Sequence, residues 1–311
     1  MEPEKATYGD VTLQQASDAL QLRMLFSGIS RGTERLVYRG QVPPDEHETM
    51  RAPFQEGAFS FPVKYGYAAV GQVEVGPRAG EVLFALFPHQ TRFFIPETAG
   101  TPIPENIPPQ RAVLAANMET ALNITWDAQI NIGDRIVVVG CGVVGALVAY
   151  LAAQVPGTEV TLTDIDPAKR SIAESLGCHF ALPGDLGPEA DVVIHASAAA
   201  AGLNTAISIA GVEARIIEAS WYGSQRVNAQ LGGRFHQRRL QIISSQVGRI
   251  PASQAARWTY QRRMAKAVSL LADPCLDILI SGETQFDDLA ANYGDILTAS
   301  STLCHRIAYD Y

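Results

Sequence analysis

A glycine-rich turn between a buried strand and an apolar helix constrains this chain more than any other feature. The four apolar residues at 136–139 predict a fully buried parallel strand. Gly140, Gly142 and Gly145 then give the spacing G-x-G-x-x-G, and an apolar run of helical length follows at 146–153. The first glycine permits the tight turn, the second lets the backbone approach a pyrophosphate, and the third lets the helix pack close to the strand. The turn predicts a site where the N–H groups of a helix start hold the phosphates of a dinucleotide.

An acidic residue after the next strand supports this interpretation. A second apolar strand is predicted at 159–163, and Asp164 follows it, 24 residues after Gly140. This is near the distance expected for the carboxylate that binds the adenosine ribose hydroxyls. Because a carboxylate there repels a 2′-phosphate, NAD is favoured over NADP. The alternative is a Rossmann-like fold that binds no cofactor and uses its glycines only for packing.

The composition excludes several other classes of protein. A chain of 311 residues with 47% hydrophobic and 18% charged residues is long enough for two globular domains. The net charge is −8 without a block of Lys and Arg, so we expect no nucleic-acid partner and expect the short basic pairs at 238–239 and 262–263 to lie in solvent. No apolar run reaches the roughly 18 residues that span a membrane, and the polar start at 1–5 is unlike a secretory signal. We therefore expect a cytoplasmic protein with no membrane partner.

The four cysteines are dispersed and include no C-x-x-C pair. They are Cys141, Cys178, Cys275 and Cys304. This spacing argues against a structural zinc cluster and against a disulfide framework, so we expect reduced and mostly buried thiols.

The chain changes character near residue 134. Before it, short strand-like runs separated by turn signals predict a β-rich domain, with strands at 20–25, 68–75, 82–86 and 91–95 and a helix at 112–126 leading out of it. After it, strands at 135–139, 160–163, 192–196, 215–219 and 240–244 alternate with helices at 143–154, 167–176 and 200–209. Such alternation predicts a parallel sheet with right-handed crossovers. An amphipathic helix at 255–271 and a mixed tail follow, and the tail could return to complete the first domain.

Three segments together resemble the medium-chain dehydrogenase/reductase superfamily, which includes the zinc alcohol dehydrogenases. The segment SGISRGTE at 27–34 looks like the family's S-G-I-C-x-[ST]-[DE], YGYAAVG at 65–71 lies where the family has G-H-E-x-x-G, and ANMET at 116–120 precedes the glycine turn at a familiar distance. The resemblance implies an α/β fold, a Rossmann doubly wound parallel sheet plus a GroES-like β-rich domain. It places the GroES-like catalytic domain at 1–118, the Rossmann NAD-binding domain at 119–254 and a returning C-terminal segment at 255–311, with the active site in the cleft between domains. The segment at 27–34 is also similar, more weakly, to the S-G-I-S-x-G-T-E stretch of bacteriochlorophyllide dehydrogenases.

The chain departs from the family at every catalytic zinc position. Ser30 stands where the family has its first cysteine, Tyr67 replaces the histidine of G-H-E, and the third ligand would fall near Ala116 or Asn117. Zinc favours thiolate, imidazole or carboxylate, so we expect a zinc-free member with no metal site. Another metal site built from Glu34, His89 and Glu119 is disfavoured, since their spacing resembles no ligand set.

Without zinc, side chains must polarise the substrate oxygen and move its proton. Tyr67 is the first candidate, because the resemblance points its hydroxyl into the cleft; the alternative is a wall residue. His89 is the second, although a loop histidine is more often on the surface. Ser30 and Thr33 are nearby hydroxyls, and Ser30 could instead be a capping or turn residue.

Two carboxyl groups complete the catalytic candidates. Glu34 matches the family's acidic residue, which braces the active site, and its alternative is a surface or capping carboxylate. Glu119 opens the linker helix in the family fold, where a buried carboxyl group could shuttle protons.

The cofactor contacts implied by position extend beyond the turn itself. The candidates are Gly140, Gly142, Val143, Val144, Gly145, Asp164, Asp166, Lys169, Thr120, Ala196, Ser197, Ser220, Trp221 and Arg31.

Three functions fit these residues. The first is an NAD(H)-dependent, zinc-independent oxidoreductase that interconverts an alcohol and a carbonyl on a small or medium metabolite. The second is an enoyl or quinone reductase, and the third is an NAD-binding protein without turnover. We also expect a homodimer, because the family pairs the edge strand of its nucleotide domain, here near 240–246, across a two-fold axis.

Overall fold

The computed structural model describes residues 2–13 and 19–311, and these divide into two units. One unit is Met1–Ala116 with Met264–Tyr311, and the other is Asn117–Arg263. The C-terminal tail therefore belongs to the same unit as the N-terminal part of the chain. No helix among the described residues is long and apolar enough to cross a lipid bilayer.

The strands in chain order are β1 (Ala19–Ser30), β2 (Glu56–Gly57), β3 (Val63–Lys64), β4 (Ala69–Val73), β5 (Val82–Ala85), β6 (Arg92–Pro96), β7 (Thr101–Pro102), β8 (Arg135–Val139), β9 (Glu159–Thr163), β10 (His179–Ala181), β11 (Ala190–His195), β12 (Ala210–Glu218), β13 (Gln241–Ser244), β14 (Ile280–Gln285) and β15 (Cys304–Ala308). The helices are α1 (Arg31–Tyr38), α2 (Pro109–Ala112), α3 (Ala115–Ala128), α4 (Val143–Ala153), α5 (Arg170–Ser175), α6 (Ala200–Ile209), α7 (Arg234–Gln237), α8 (Ala252–Ala255), α9 (Tyr260–Ser269) and α10 (Phe286–Thr298).

The first unit is built on a largely antiparallel sheet. Among the described residues its order is β14-β15-β1-β4-β5-β7, and β6 also pairs with β1. The long strand β1 pairs with β15 in a register that sets Ser30 opposite Cys304. The buried side chains of this sheet, such as Leu22 and Phe93, share one core with Leu297 of α10. Strands β14 and β15 of the tail thus complete the sheet of the first unit.

The second unit, all of which is described, contains a parallel sheet of six strands in the order β10-β9-β8-β11-β12-β13. Strand β8 lies in the middle, with β9 on one side and β11 on the other, so the strand order reverses beside it. In doubly wound sheets of this kind, ligands bind outside the carboxyl ends of the strands at that reversal. The glycine turn follows β8 directly and is therefore at the expected binding position.

The structure confirms the predicted strands, corrects two expectations and adds a helix that the sequence did not indicate. Each predicted strand overlaps an observed one, and the helices at 143–154 and 200–209 match α4 and α6. The predicted helix at 255–271 is instead interrupted between α8 and α9, although the segment contains neither glycine nor proline. Helix α1 lies inside the domain predicted to be β-rich. Arg263, expected in solvent, is only 2% exposed.

The cysteines are free thiols, and Cys141, Cys178 and Cys304 are buried, as expected. Burial is the main reason that the pKa of Cys141 and of Cys304 rises to about 12. Thiols with such pKa values are protonated at neutral pH and are poor nucleophiles.

Candidate functional site

A buried carboxylate lies at the junction of β1 and α1. Ser30 ends the strand and precedes the helix, and Glu34 in the first turns of α1 is 0% exposed. Glu34 Oε1 accepts a hydrogen bond of 2.7 Å from the backbone N–H of Ser30. The carboxylate therefore satisfies a donor at the helix start, where an N–H group has no partner within the helix.

The second oxygen of Glu34 is held by two side chains from distant parts of the chain. His89 Nε2 lies 3.1 Å from Oε2, and the Tyr293 hydroxyl donates to the same oxygen over 2.6 Å. His89 Nδ1 is in turn 2.8 Å from Ser27 Oγ, which is 2.8 Å from the hydroxyl of Tyr309. A neutral imidazole that donates from Nε2 to the carboxylate accepts from Ser27 at Nδ1. The hydrogen bonds thus run from Tyr309 through Ser27 and His89 to Glu34, and each donor in this series has an acceptor.

His89 is part of this buried network. Its side chain is 8% exposed, and both ring nitrogens have partners. The ring packs against Gly66, whose φ is +118° and where a Cβ atom would lie 2.8 Å from His89 Cδ2. The structure places His89 where it can orient Glu34, with no ring nitrogen left for a substrate.

The hydroxyl of Tyr67 lies with those of Ser30 and Thr33. Both side chains hydrogen-bond to the Tyr67 hydroxyl, so the structure brings these three sequence candidates together. The Ser30 side chain makes no capping hydrogen bond at the start of α1, so its hydroxyl is not the helix cap that was the alternative interpretation. The ring of Tyr65 packs edge-on against Tyr67 at a centroid distance of 6.0 Å.

The environment of Tyr67 keeps its hydroxyl protonated. Burial and the nearby Glu34 raise the pKa of Tyr67 to about 12, although the hydrogen bonds from Ser30 and Thr33 act in the opposite direction. A phenol in this state is a hydrogen-bond donor at neutral pH and not a base. This group can donate to an oxygen that gains negative charge.

Glu119 lies in the second unit and is paired with a buried arginine. Arg263 Nε is 3.0 Å from Glu119 Oε1, and the same guanidinium donates to Asn123 Oδ1 over 2.6 Å and to the Val247 carbonyl over 2.7 Å. Burial raises the pKa of Glu119, and Arg263 opposes that rise. This pairing suits a structural anchor better than a proton shuttle.

The glycine turn of the second unit has the close approaches that its spacing predicts. Gly140 has φ +109°, and a Cβ atom there would lie 2.8 Å from the Ser197 nitrogen. A Cβ atom at Gly145 would lie 2.0 Å from the Gly140 carbonyl oxygen, so α4 can pack on β8 only without it. Gly142 precedes α4, is exposed and has open space at its Cβ position. A pyrophosphate therefore fits against the backbone at the start of α4.

Asp164 is tied to this turn. Its Oδ2 accepts from the backbone N–H of Cys141 over 2.8 Å, and its Oδ1 accepts from the N–H of Asp166 over 3.0 Å. Each carboxylate oxygen keeps a further lone pair for another donor. The side chain is half-buried at the end of β9, so it can meet a ribose hydroxyl beside the turn.

The other cofactor candidates are placed as follows. Asp166 caps the turn Pro167–Lys169 by accepting from the Ala168 N–H over 2.9 Å, and Lys169 is buried. Val143 is buried. The remaining cofactor candidates of the second unit are half-exposed or exposed: Thr120, Val144, Ala196, Ser197, Ser220 and Trp221.

Arg31 belongs to the first unit. Its Nε donates to the Leu297 carbonyl over 3.3 Å, and burial together with Arg35 and Arg39 lowers its pKa. Its predicted reach to a pyrophosphate stays a prediction.

Comparison with known proteins agrees with this architecture. No protein-family model matches the chain. A protein named Probable D-xylulose reductase A from Aspergillus clavatus is 32% identical over 131 residues, which are 37% of this chain and 37% of that protein. The chain thus spans little more than a third of the length of this curated relative.

Solved structures match almost the whole chain. A short chain alcohol dehydrogenase from E. coli CFT073, complexed with NADH, has a TM-score of 0.76 and 16% identity over 100% of this chain and 97% of its own. A protein from Sinorhizobium meliloti 1021, described as a zinc-binding dehydrogenase and bound to NADP, has a TM-score of 0.71 and 17% identity over 95% and 93%. The chain therefore shares the fold of these dehydrogenases. The expected combination of a Rossmann sheet with a GroES-like domain is confirmed.

The residues at the zinc positions that the sequence resemblance implies do not fit the metal. Ser30 and Tyr67 offer hydroxyl groups, which zinc disfavours, and these hydroxyls bond to each other. Glu34 and His89 are in contact but are held by the network described above. Within residues 2–13 and 19–311, no three His, Cys, Asp or Glu side chains gather closely enough to hold a metal ion.

Sequence reasoning missed three members of the Glu34 network: Ser27, Tyr293 and Tyr309. Tyr293 reaches Glu34 across 259 positions of sequence, and Tyr309 reaches Ser27 across 282. Both tyrosines lie in the tail, whose elements have no motif that marks them. The signal that could have found them is the tail's predicted return to the first domain, which brings buried hydroxyls to Glu34.

Proposed function

We propose that this protein is an NAD(H)-dependent oxidoreductase that interconverts an alcohol and a carbonyl on a small or medium metabolite without zinc. The observation that carries the proposal is the cluster of Tyr67 with Ser30 and Thr33 beside the anchored Glu34. It supplies a polarising group and a proton donor at the superfamily's metal positions. The dehydrogenases that the chain resembles support the reaction class.

The cofactor supplies the hydride. The open backbone at Gly142 and the close packing at Gly145 would hold the pyrophosphate at the start of α4. Asp164 would accept from the ribose hydroxyls, and its carboxylate disfavours a 2′-phosphate. NAD is therefore the proposed cofactor, with NADP the weaker one.

Tyr67 would move the proton. In the reductive direction, negative charge grows on the carbonyl oxygen as the carbon accepts hydride, and the Tyr67 hydroxyl donates first a hydrogen bond and then its proton. With a pKa of about 12, the Tyr67 phenol is still more acidic than an aliphatic alcohol, so transfer of its proton to the alkoxide is downhill. Ser30 and Thr33, as donors to the Tyr67 oxygen, stabilise the phenolate that remains.

Glu34 would act through the residues that it holds. Its bond to the Ser30 N–H fixes the junction of β1 and α1, and its charge raises the pKa of Tyr67. His89 and Tyr293 keep the carboxylate in place. These residues position the proton donor and need not touch the substrate.

A carbonyl panel tests the reaction. Purified protein would be assayed for NADH oxidation with aldehydes, ketones and enones, alongside Tyr67→Phe and the control Tyr311→Phe, whose hydroxyl bonds to the Thr91 carbonyl. We expect turnover of aldehydes or ketones and a fall of about 10²-fold in kcat for Tyr67→Phe. Oxidation of NADH with enones alone would instead establish the enoyl or quinone reductase. Tight NADH binding without any turnover would establish a non-catalytic NAD-binding protein.

A fluorescence titration tests the cofactor choice. We expect NADH to bind more tightly than NADPH, because Asp164 repels the extra phosphate. A preference for NADPH would contradict the role proposed for Asp164.

We further propose a cytoplasmic homodimer. Strand β13 lies at the edge of the six-stranded sheet and, in the part of the chain that the structure describes, pairs with β12 alone. Ile242 on this strand is 37% exposed, and an apolar edge strand is a liability unless another chain pairs with it. Light scattering should give twice the chain mass of 33.5 kDa, and a monomer would contradict the dimer.

A further inference from the structure

A serine, a histidine and a glutamate form a hydrogen-bonded row at the carboxyl ends of β11 and β12. His195 Nε2 lies 2.6 Å from Ser197 Oγ, and His195 Nδ1 lies 2.8 Å from Glu218 Oε2. The imidazole is 0% exposed and the Glu218 side chain is 15% exposed, whereas Ser197 is exposed. A nucleophile in solvent, a base behind it and an acid that orients the base are the three parts of an acyl-transfer triad.

The partners of Glu218 set the direction of these bonds. The carboxylate also accepts from the Ser220 N–H over 2.9 Å and from the Tyr222 hydroxyl over 3.1 Å. Burial alone would raise the pKa of Glu218, but the bonds to His195 and Ser220 lower it overall. An ionised Glu218 accepts the Nδ1 proton of a neutral His195. Nε2 is then free to accept the proton of Ser197, as a general base must.

The first turn of α6 lies directly beneath Ser197 Oγ. A Cβ atom at Gly202 would be 2.2 Å from this oxygen and 2.7 Å from His195 Nε2, so only glycine permits the approach. The first N–H groups of a helix have no partner within the helix and carry partial positive charge. Because Gly202 lies so close to Ser197 Oγ, the positive end of α6 is beside the oxygen, where it would favour an oxyanion. Ala198, the residue after the serine, has φ +52°, an uncommon conformation for alanine.

We propose that Ser197, His195 and Glu218 form a second catalytic centre that hydrolyses small carboxylic esters. Ser197 Oγ attacks the ester carbonyl carbon as its proton passes to His195 Nε2. The bond from carbon to the leaving oxygen breaks, and that oxygen takes the proton from His195. Water then attacks the acyl-serine and gives a proton to His195, which returns it to Ser197 Oγ as the acid departs. Ester and water thus become acid and alcohol, without an oxidant or a nicotinamide cofactor.

Covalent labelling of the full chain with a fluorophosphonate probe is the direct test. We expect one added phosphonyl group, located on Ser197 by peptide mass spectrometry, and p-nitrophenyl acetate hydrolysis that the probe abolishes. The rate of labelling should fall by about 10²-fold or more in Ser197→Ala and in His195→Gln. Ser208→Ala, which removes an exposed serine of α6, should label at the wild-type rate. Labelling at another residue, or equal rates in wild type and Ser197→Ala, would overturn the proposal.

Glu218 is a positioning residue, and its variant needs a different readout. Among the groups facing His195, Glu218 is the anion, while Tyr222 is neutral because burial and Glu218 raise its pKa. Glu218→Gln keeps a hydrogen-bonding oxygen but removes the charge that stabilises the imidazolium formed as Ser197 attacks, so it should label more slowly. Glu218→Asp, which restores a carboxylate, should recover part of the lost rate. A wild-type labelling rate in Glu218→Gln, or no recovery in Glu218→Asp, would contradict the role of Glu218.

The result is separable from the dehydrogenase. Labelling needs no cofactor, so it can succeed even if no carbonyl is reduced. Ser197 is also a cofactor candidate, and we expect NADH to slow its labelling. NADH that leaves the rate unchanged would show that the two sites do not overlap.

Discussion

Replacing Glu34 by Gln tests the network that positions the proposed proton donor. The carboxylate accepts from Ser30, His89 and Tyr293 at 2.7, 3.1 and 2.6 Å. A glutamine of the same shape has one oxygen. If that oxygen keeps the bonds to His89 and Tyr293, its NH₂ group faces the Ser30 N–H, and one charge-assisted bond becomes a contact between two donors.

The loss can be estimated from these bonds. A hydrogen bond to a charged group contributes about 1.5–3 kcal/mol, and a buried donor without an acceptor adds to the cost, so we expect about 2–4 kcal/mol of destabilisation. For a unit of this size, that lowers Tm by about 4–16 °C. Differential scanning calorimetry measures the shift. The control is Glu213→Gln, whose carboxylate is 63% exposed and pairs with an exposed arginine.

The control should move Tm by no more than about 2 °C, as is usual for surface substitutions. Equal shifts for Glu34→Gln and Glu213→Gln would refute the view that Glu34 anchors the site. The pH dependence gives a second readout. Because the Glu34 charge raises the pKa of Tyr67, the variant should lose carbonyl reduction at a lower alkaline pH than the wild type. An unchanged alkaline limb would contradict the coupling.

Three further substitutions test other parts of the account. Gly66→Ala combines φ +118° with a contact at 2.8 Å to His89 and should cost about 1–3 kcal/mol in urea unfolding, whereas Gly232→Ala, with open space, should cost far less. Arg263→Met leaves Glu119 buried without its cation and should cost about 3–5 kcal/mol at pH 8. The loss should shrink toward pH 5, since a carboxyl with a raised pKa binds a proton more readily in the folded state; a loss independent of pH would contradict this. Asp164→Asn should weaken NADH binding by about tenfold and narrow the preference over NADPH in fluorescence titrations, and unchanged constants would remove Asp164 from the site.

Local patterns predicted the parallel sheet well. Strand β8, the glycine turn and α4 are consecutive in sequence, and the constraints of that turn act over a few residues. The spacing of Gly140 and Gly145 indicates a close approach of the two backbones, and a Cβ atom at Gly145 would indeed lie 2.0 Å from the Gly140 carbonyl oxygen. Such features depend on near neighbours, so the sequence shows them directly.

The Glu34 network depends on contacts that no local pattern contains. In the sequence His89 resembles a surface residue of a loop. In the structure it hydrogen-bonds to Glu34 and Ser27, which are 55 and 62 positions away in sequence. The sequence does not mark the break between α8 and α9 either, because the amphipathic pattern continues through it without glycine or proline. Trp258 in the break packs against Trp126 of α3 at 4.7 Å, a contact that periodicity does not encode.

Turnover measured against metal content tests whether the proposed oxidoreductase works without zinc. Protein with zinc counted by mass spectrometry would be assayed with NADH and its best aldehyde or ketone, before and after treatment with a chelator and after adding zinc. We expect the same kcat at every zinc content and a fall of about 10²-fold in kcat for Tyr67→Phe. Turnover that rises in proportion to bound zinc, with Tyr67→Phe fully active, would contradict catalysis by Tyr67 without zinc.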